Sequence, residues 1–172
     1  HGQPGGEQVD VAALQLQGGI TVGAEALSLN GTGISSDGAL RNISGANVWQ
    51  GTVTLAGATR INSDPGSSLT FNTAANSITG VNISLSLGGG GNGTVGGTIT
   101  TGTGTLTKDG FGTWTLSGAN TYTGVTTVSA GILLLNNATA LPGGIGLSGG
   151  TSALQFNGGV LGLGNGPFNR SL

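Results

Sequence analysis

Acidic side chains are the groups in this sequence with the most evident capacity for acid–base or metal chemistry. Six are present: Glu7, Asp10, Glu25, Asp37, Asp64 and Asp109. Glycoside cleavage generally uses two carboxylates on either side of the substrate. Stacked coils could bring Asp37 and Asp109 together, because each precedes a similar segment. Asp also favours turns, where its side chain bonds nearby backbone. We therefore interpret Asp37-Gly38, Asp64-Pro65 and Asp109-Gly110 as turns.

Other reactive groups are few. The sequence has no Cys, which excludes thiol catalysis, disulfides, Cys-ligated zinc and iron–sulfur clusters. The single histidine, His1, could chelate copper with its amine and ring, but a second His is lacking. The Gly-rich residues 88–93 lack the Asp of calcium-binding repeats and are expected to form a flexible loop or tight corner. We predict no catalytic residue, no cofactor and no metal site.

The composition favours a regular all-β structure. Gly contributes 38 residues, charged residues only 6%, and the net charge is −2. Disorder normally combines low hydrophobicity with high net charge, which does not hold here. Short runs of Thr, Val, Ile and Leu alternate with Gly, Asn and Asp, as in strands separated by turns. Four scattered Lys and Arg residues argue against nucleic acid as a partner, and no apolar run is long enough to span a membrane.

An internal repeat indicates how the strands are arranged. Residues Ser44–Gly51 return 73 positions later as Ser117–Gly124, with Trp49 matched by Tyr122. We predict an N-terminal tail or edge segment at 1–10 and one β-solenoid domain at 11–172, with copies at about 38–110 and 111–172. Because of this repeat, we expect Trp49 and Tyr122 to occupy equivalent positions on neighbouring parts of the rod.

Short strands of this kind bury their apolar face by stacking on similar strands. With coils of about 20 residues, the chain would make roughly eight coils of a right-handed, all-parallel β-helix. Side chains on alternate positions of each strand then form ladders inside the coil. The predicted inward residues include Leu27, Leu29, Ile43, Val53, Leu55, Leu116, Val128, Leu133 and Leu135.

Residues Leu106–Gly124, with a continuation to Leu135, resemble the autotransporter-associated β-strand repeat. Residues 29–45 are similar to segments that accompany such repeats in large bacterial surface proteins. The resemblance implies a secreted passenger region with a right-handed β-helix, an outer-membrane translocator encoded elsewhere, and no catalytic residues. The chain starts without Met, which fits a piece of a longer secreted protein.

The sequence departs from that family pattern at three apolar positions. Val125 stands where the family favours Gly, and Ile132 and Leu134 stand where it favours small or polar residues. Because Leu133 and Leu135 are expected to point inward, Ile132 and Leu134 must point outward. We predict that these three residues form a self-association surface. Arg41 also departs, since the repeat places it opposite a tryptophan.

These observations favour a structural, non-enzymatic protein on the bacterial surface or outside the cell. A surface rod, an adhesin stalk and a fibre subunit all fit, with partners in other copies or in adjoining coils of a longer chain. One alternative is a β-helix that binds or cleaves a surface glycan. A third is an ice-binding solenoid, suggested by the Thr-x-Thr runs between Thr98 and Thr115. Their irregular spacing along the sequence argues against a Thr ladder.

Overall fold

The computed structural model describes residues 12–73, 75–142 and 153–164. Every strand pairing in these ranges is parallel. One 3₁₀ turn, Ile34–Ser36, is the sole helical element of the described residues. The predicted all-β parallel solenoid is therefore confirmed.

The strands lie on three sides of the coil. Side A contains β1 (Leu14–Leu16), β4 (Leu40–Asn42), β6 (Val53–Ser63), β9 (Leu85–Gly88), β12 (Leu106–Lys108), β14 (Thr126–Val128) and β16 (Leu154–Phe156). Side B contains β2 (Thr21–Val22), β5 (Ala46–Trp49), β7 (Ser68–Phe71), β10 (Asn92–Val95), β13 (Thr113–Leu116), β15 (Ile132–Leu135) and β17 (Val160–Leu163). Side C contains β3 (Leu27–Gly31), the first half of β6, β8 (Asn76–Gly80) and β11 (Thr98–Thr100).

Seven side A strands follow one another in order, so the described residues make six turns. The prediction of roughly eight coils for the whole chain is not confirmed by this count. Register partners show that a turn takes 20 residues from Lys108 to Val128 but 28 from Val128 to Phe156. At about 4.8 Å per strand, six turns stack to about 29 Å. The right-handed sense stays a prediction.

Inward side chains form continuous apolar ladders, as expected. One ladder on side A runs through Leu40, Ile61 and Leu87, and each of these is fully buried. All but one of the predicted inward residues are buried or packed against this core. Ile43 is the exception: it follows β4 at a corner and is half-buried, because Asn42 occupies the inward position.

The copies that are 73 residues apart do not occupy equivalent sides. In the register of side B, Trp49 aligns with Phe71, Val95 and Leu116. Tyr122 lies beyond β13, where the neighbouring Thr121 N–H bonds the Ile99 carbonyl on side C. The repeat thus spans three turns and about one further side. Trp49 and Tyr122 are both buried but not equivalent, and Arg41 on side A is not equivalent to Trp114 on side B.

Candidate functional site

Charged side chains of the described residues concentrate on side A. Six of the seven lie there or at its corners, and we call them the side A charge cluster: Asp37, Arg41, Arg60, Asp64, Lys108 and Asp109. Three are cationic and three anionic, so the cluster is close to neutral. Because so few charges exist in the chain, this grouping is the first place to look for chemistry.

Arg41 joins two coils through its guanidinium. Its Nε and Nη2 donate to the Asp64 carboxylate at 2.8 to 3.1 Å, and Nη1 donates to Asp37 at 2.9 Å. The hydrogen bonds that Arg41 donates to Asp64 raise the pKa of Arg41, against the effect of burial. Planar, multidentate pairing of this kind is what Arg provides and Lys does not. Arg41, in β4 of one coil, is therefore bound to the corner at Asp64, which follows β6 in the next coil.

Arg60 reaches over a whole coil. It lies in β6, and its Nη1 donates to Asp109 after β12 at 2.5 Å, although β9 lies between these two strands. Gly88 in β9 leaves the room: a Cβ there would lie 2.1 Å from the Asp109 carboxylate and 2.4 Å from the Arg60 guanidinium. The ion pair in this arrangement therefore requires a glycine at position 88.

Lys108 occupies an inward ladder position and is fully buried. Its Nζ donates to the carbonyls of Asp109 at 2.6 Å, Gly110 at 2.8 Å and Ala130 at 3.1 Å, which joins two successive corners. An ammonium has three donors, and all three are used. Burial lowers the pKa of Lys108 to about 8; Arg60 acts in the same direction and Asp109 opposes it.

The acids of the cluster are bound to cations instead of facing each other across a cleft. Asp37 and Asp109, which the sequence suggested could meet, bind different arginines. Asp37, Asp64 and Asp109 all lie outside the strands, as the predicted turns require, and a turn follows Asp64 at Pro65 and Gly66. Their side chains, however, bind arginines rather than their own backbone. In the described ranges, no three His, Cys, Asp or Glu side chains come close enough to hold a metal ion.

Sequence reasoning overlooked Arg60, Lys108 and Gly88. The sequence did contain a signal for Lys108. It stands two positions after Leu106 in the same strand, so alternation in β12 alone predicts that both side chains point to the apolar face. No comparable signal existed for the Arg60 pair, because its partners are 49 residues apart.

The repeated Ser-Gly-Ala-Asn segment, which we call the corner unit, stands at two different corners: its first copy runs from a corner into β5, and its second lies in the corner after β13. Asn47 Oδ1 accepts the Ile20 N–H at 2.7 Å, and Asn120 Oδ1 accepts the Ile99 N–H at 2.8 Å. Both Asn side chains are buried, and both bond the coil that precedes them. The N–H of Ile99 is buried and needs a partner, which the Asn120 side chain supplies.

The predicted self-association surface is only partly assembled. Ile132 and Leu134 do point outward on side B, since Leu133 and Leu135 between and after them are fully buried. They lie in register with Val160 and Gly162 of the next coil. Val125 does not join them: it precedes β14 on side A, where its carbonyl accepts the Leu106 N–H.

The comparison with protein families identifies part of the chain. Residues 106–135 match the passenger-associated-transport-repeat. This confirms the resemblance to an autotransporter passenger repeat, and the matched range contains the end of the predicted segment, Leu135. Within the passenger-associated-transport-repeat lie Lys108, Asp109, the buried Trp114 and the second corner unit. Comparisons with curated proteins and with solved structures gave no match. Among the described residues no helix is long and apolar enough to cross a membrane.

Proposed function

We propose that this chain is a non-catalytic structural segment of a bacterial autotransporter passenger, which acts as a spacer at the cell surface. The observation that carries the proposal is the stacked parallel coil itself, with a passenger-associated-transport-repeat in its fifth and sixth coils. An adhesin stalk and a fibre subunit are the two specific forms that such a spacer takes.

The use of the charged residues supports a structural role. A catalytic acid or base must reach a substrate proton. Here Asp64 and Asp109 each bind an arginine from an earlier coil, and Lys108 is enclosed by three carbonyls. These bonds connect coils along the axis. These pairs can form only when the coils keep this register, which fits a structural role for the charges.

Cell-surface exposure can be tested directly because the chain has no cysteine. Phe111 is 90% exposed and Leu133 is fully buried, so each can be replaced by Cys in turn. In intact cells that export the parent protein, a membrane-impermeant maleimide should label Phe111→Cys but leave Leu133→Cys unlabelled until the protein is denatured. Labelling of Phe111→Cys only after cell lysis would contradict the surface location.

The absence of catalysis is tested by a polysaccharide panel. Wild-type protein is expected to release no reducing sugar, and Asp64→Asn and Asp109→Asn should behave identically. Turnover that disappears in either variant, with folding retained by circular dichroism, would favour the glycan-cleaving alternative.

A fibre or stalk also needs lateral or end contacts. Ile132 is 38% exposed and Val160 is 57% exposed, and their outward positions are adjacent on side B. Apolar groups exposed together favour association with another surface. We propose that Ile132 and Leu134 contact a second copy or adjoining coils of the longer protein.

A further inference from the structure

Side B carries a regular array of hydroxyl groups across three coils. The outward positions Thr70, Thr94 and Thr115 lie in register in one column, and Ser68 and Thr113 flank Asn92 in the next column. We call the five hydroxyl residues the hydroxyl face: Ser68, Thr70, Thr94, Thr113 and Thr115. The spacing looked irregular in the sequence because the corners between strands differ in length, whereas the strands themselves stay in register.

Three further features characterise this face, and its lack of charge separates it from side A, where Ser86, Thr107 and Thr127 form a similar column in register with Arg60. None of its five hydroxyls makes a hydrogen bond within the described protein, whereas on side C Thr54 and Thr79 bond each other at 3.3 Å. No charged residue occurs in any side B strand. The pairing of β7, β10 and β13 is also free of register shifts, while β8 and β11 on side C show one.

The spacing of the face matches that of tetrahedrally bonded water. Equivalent side chains of adjacent strands lie about 4.8 Å apart. With a hydrogen bond of about 2.75 Å, two water oxygens bound tetrahedrally to a third lie about 4.5 Å apart. A column of threonine hydroxyls therefore stands near the second-neighbour distance of an ice-like network. The branched side chain has few rotamers, so the array is held in place with little loss of entropy.

We propose that the hydroxyl face binds ice, with the threonine hydroxyls placed at water positions of the lattice and their methyl groups packed between them. This site goes beyond the structural role proposed above and does not depend on it. A second copy is a poorer occupant of these five residues, because burying a hydroxyl without a partner costs free energy. Ordered water gives every hydroxyl a partner.

Side A supplies a matched control. Thr107 and Thr127 are outward, half-buried and in register, as Thr94 and Thr115 are on side B. The test compares the double variant Thr94→Lys/Thr115→Lys with Thr107→Lys/Thr127→Lys. The readouts are thermal hysteresis and the fraction of protein drawn into a slowly grown ice hemisphere, with thermal unfolding as a check that both variants fold.

Wild type and the side A variant should enter the ice and show hysteresis, and the side B variant should fall to the level of a non-binding protein. The proposal is overturned if wild type stays in the liquid, or if both variants lose the effect equally. It is also overturned if light scattering shows that the side B substitutions dissolve an assembly while ice uptake is absent; the face then binds a second copy.

Discussion

The single lysine of the chain makes a sharp test of how the corners are stabilised. Lys108 is fully buried, and its burial lowers its pKa to about 8, against about 10.4 in an unfolded chain. Between these two values the unfolded chain binds more protons than the folded one. The free energy of unfolding must therefore rise with pH in this window, by about 2 kcal/mol from about pH 7.5 to about pH 9.5.

Few other groups interfere with the measurement. The chain has no Cys and one Tyr, and burial raises the pKa of Tyr122, whose unfolded form ionises only near pH 10. Urea unfolding followed by tryptophan fluorescence at both pH values gives the difference, and Lys108→Met should abolish it. A wild-type stability that is flat over this range would refute the reasoning. It would mean that the three carbonyls around Nζ stabilise the ammonium enough to offset its burial.

Three further predictions concern packing, the corner unit and assembly. Gly93→Ala should destabilise by about 1–3 kcal/mol, because its Cβ would lie 2.3 Å from the Trp114 ring. The control Gly23→Ala has no atom within 4 Å and should be nearly neutral, so equal urea midpoints would contradict the clash. Asn120→Ala should cost about 1–3 kcal/mol by leaving a buried N–H unpaired, and wild-type stability in this variant would contradict the corner role. Leu134→Lys should reduce the assembly seen by light scattering, and an unchanged assembly would exclude the side B apolar contact.

The sequence was sufficient to predict an all-β parallel solenoid because strand alternation and corner glycines are local signals. Leu116, Val128, Leu133 and Leu135 follow from parity within one strand, and all are buried. The number of coils did not follow, because it depends on corner lengths that vary between 20- and 28-residue turns. Ile43 was placed inward because the 73-residue repeat aligns it with Leu116, whereas the parity of β4 places Leu40 and Asn42 inward.

The side A charge cluster and the hydroxyl face could not be predicted from the sequence, because both depend on which strands pair and in what register. Arg60 and Asp109 meet only because β9 lies between them with Gly88 at the crossing point. In the same way, strand pairing places Thr70, Thr94 and Thr115 in one column, although the corners between their strands differ in length. Similarity along the sequence misled for the same reason, since the 73-residue repeat moves the corner unit from one corner to another. In a solenoid with variable corners, local similarity identifies the unit, whereas strand pairing decides which side chains share a surface.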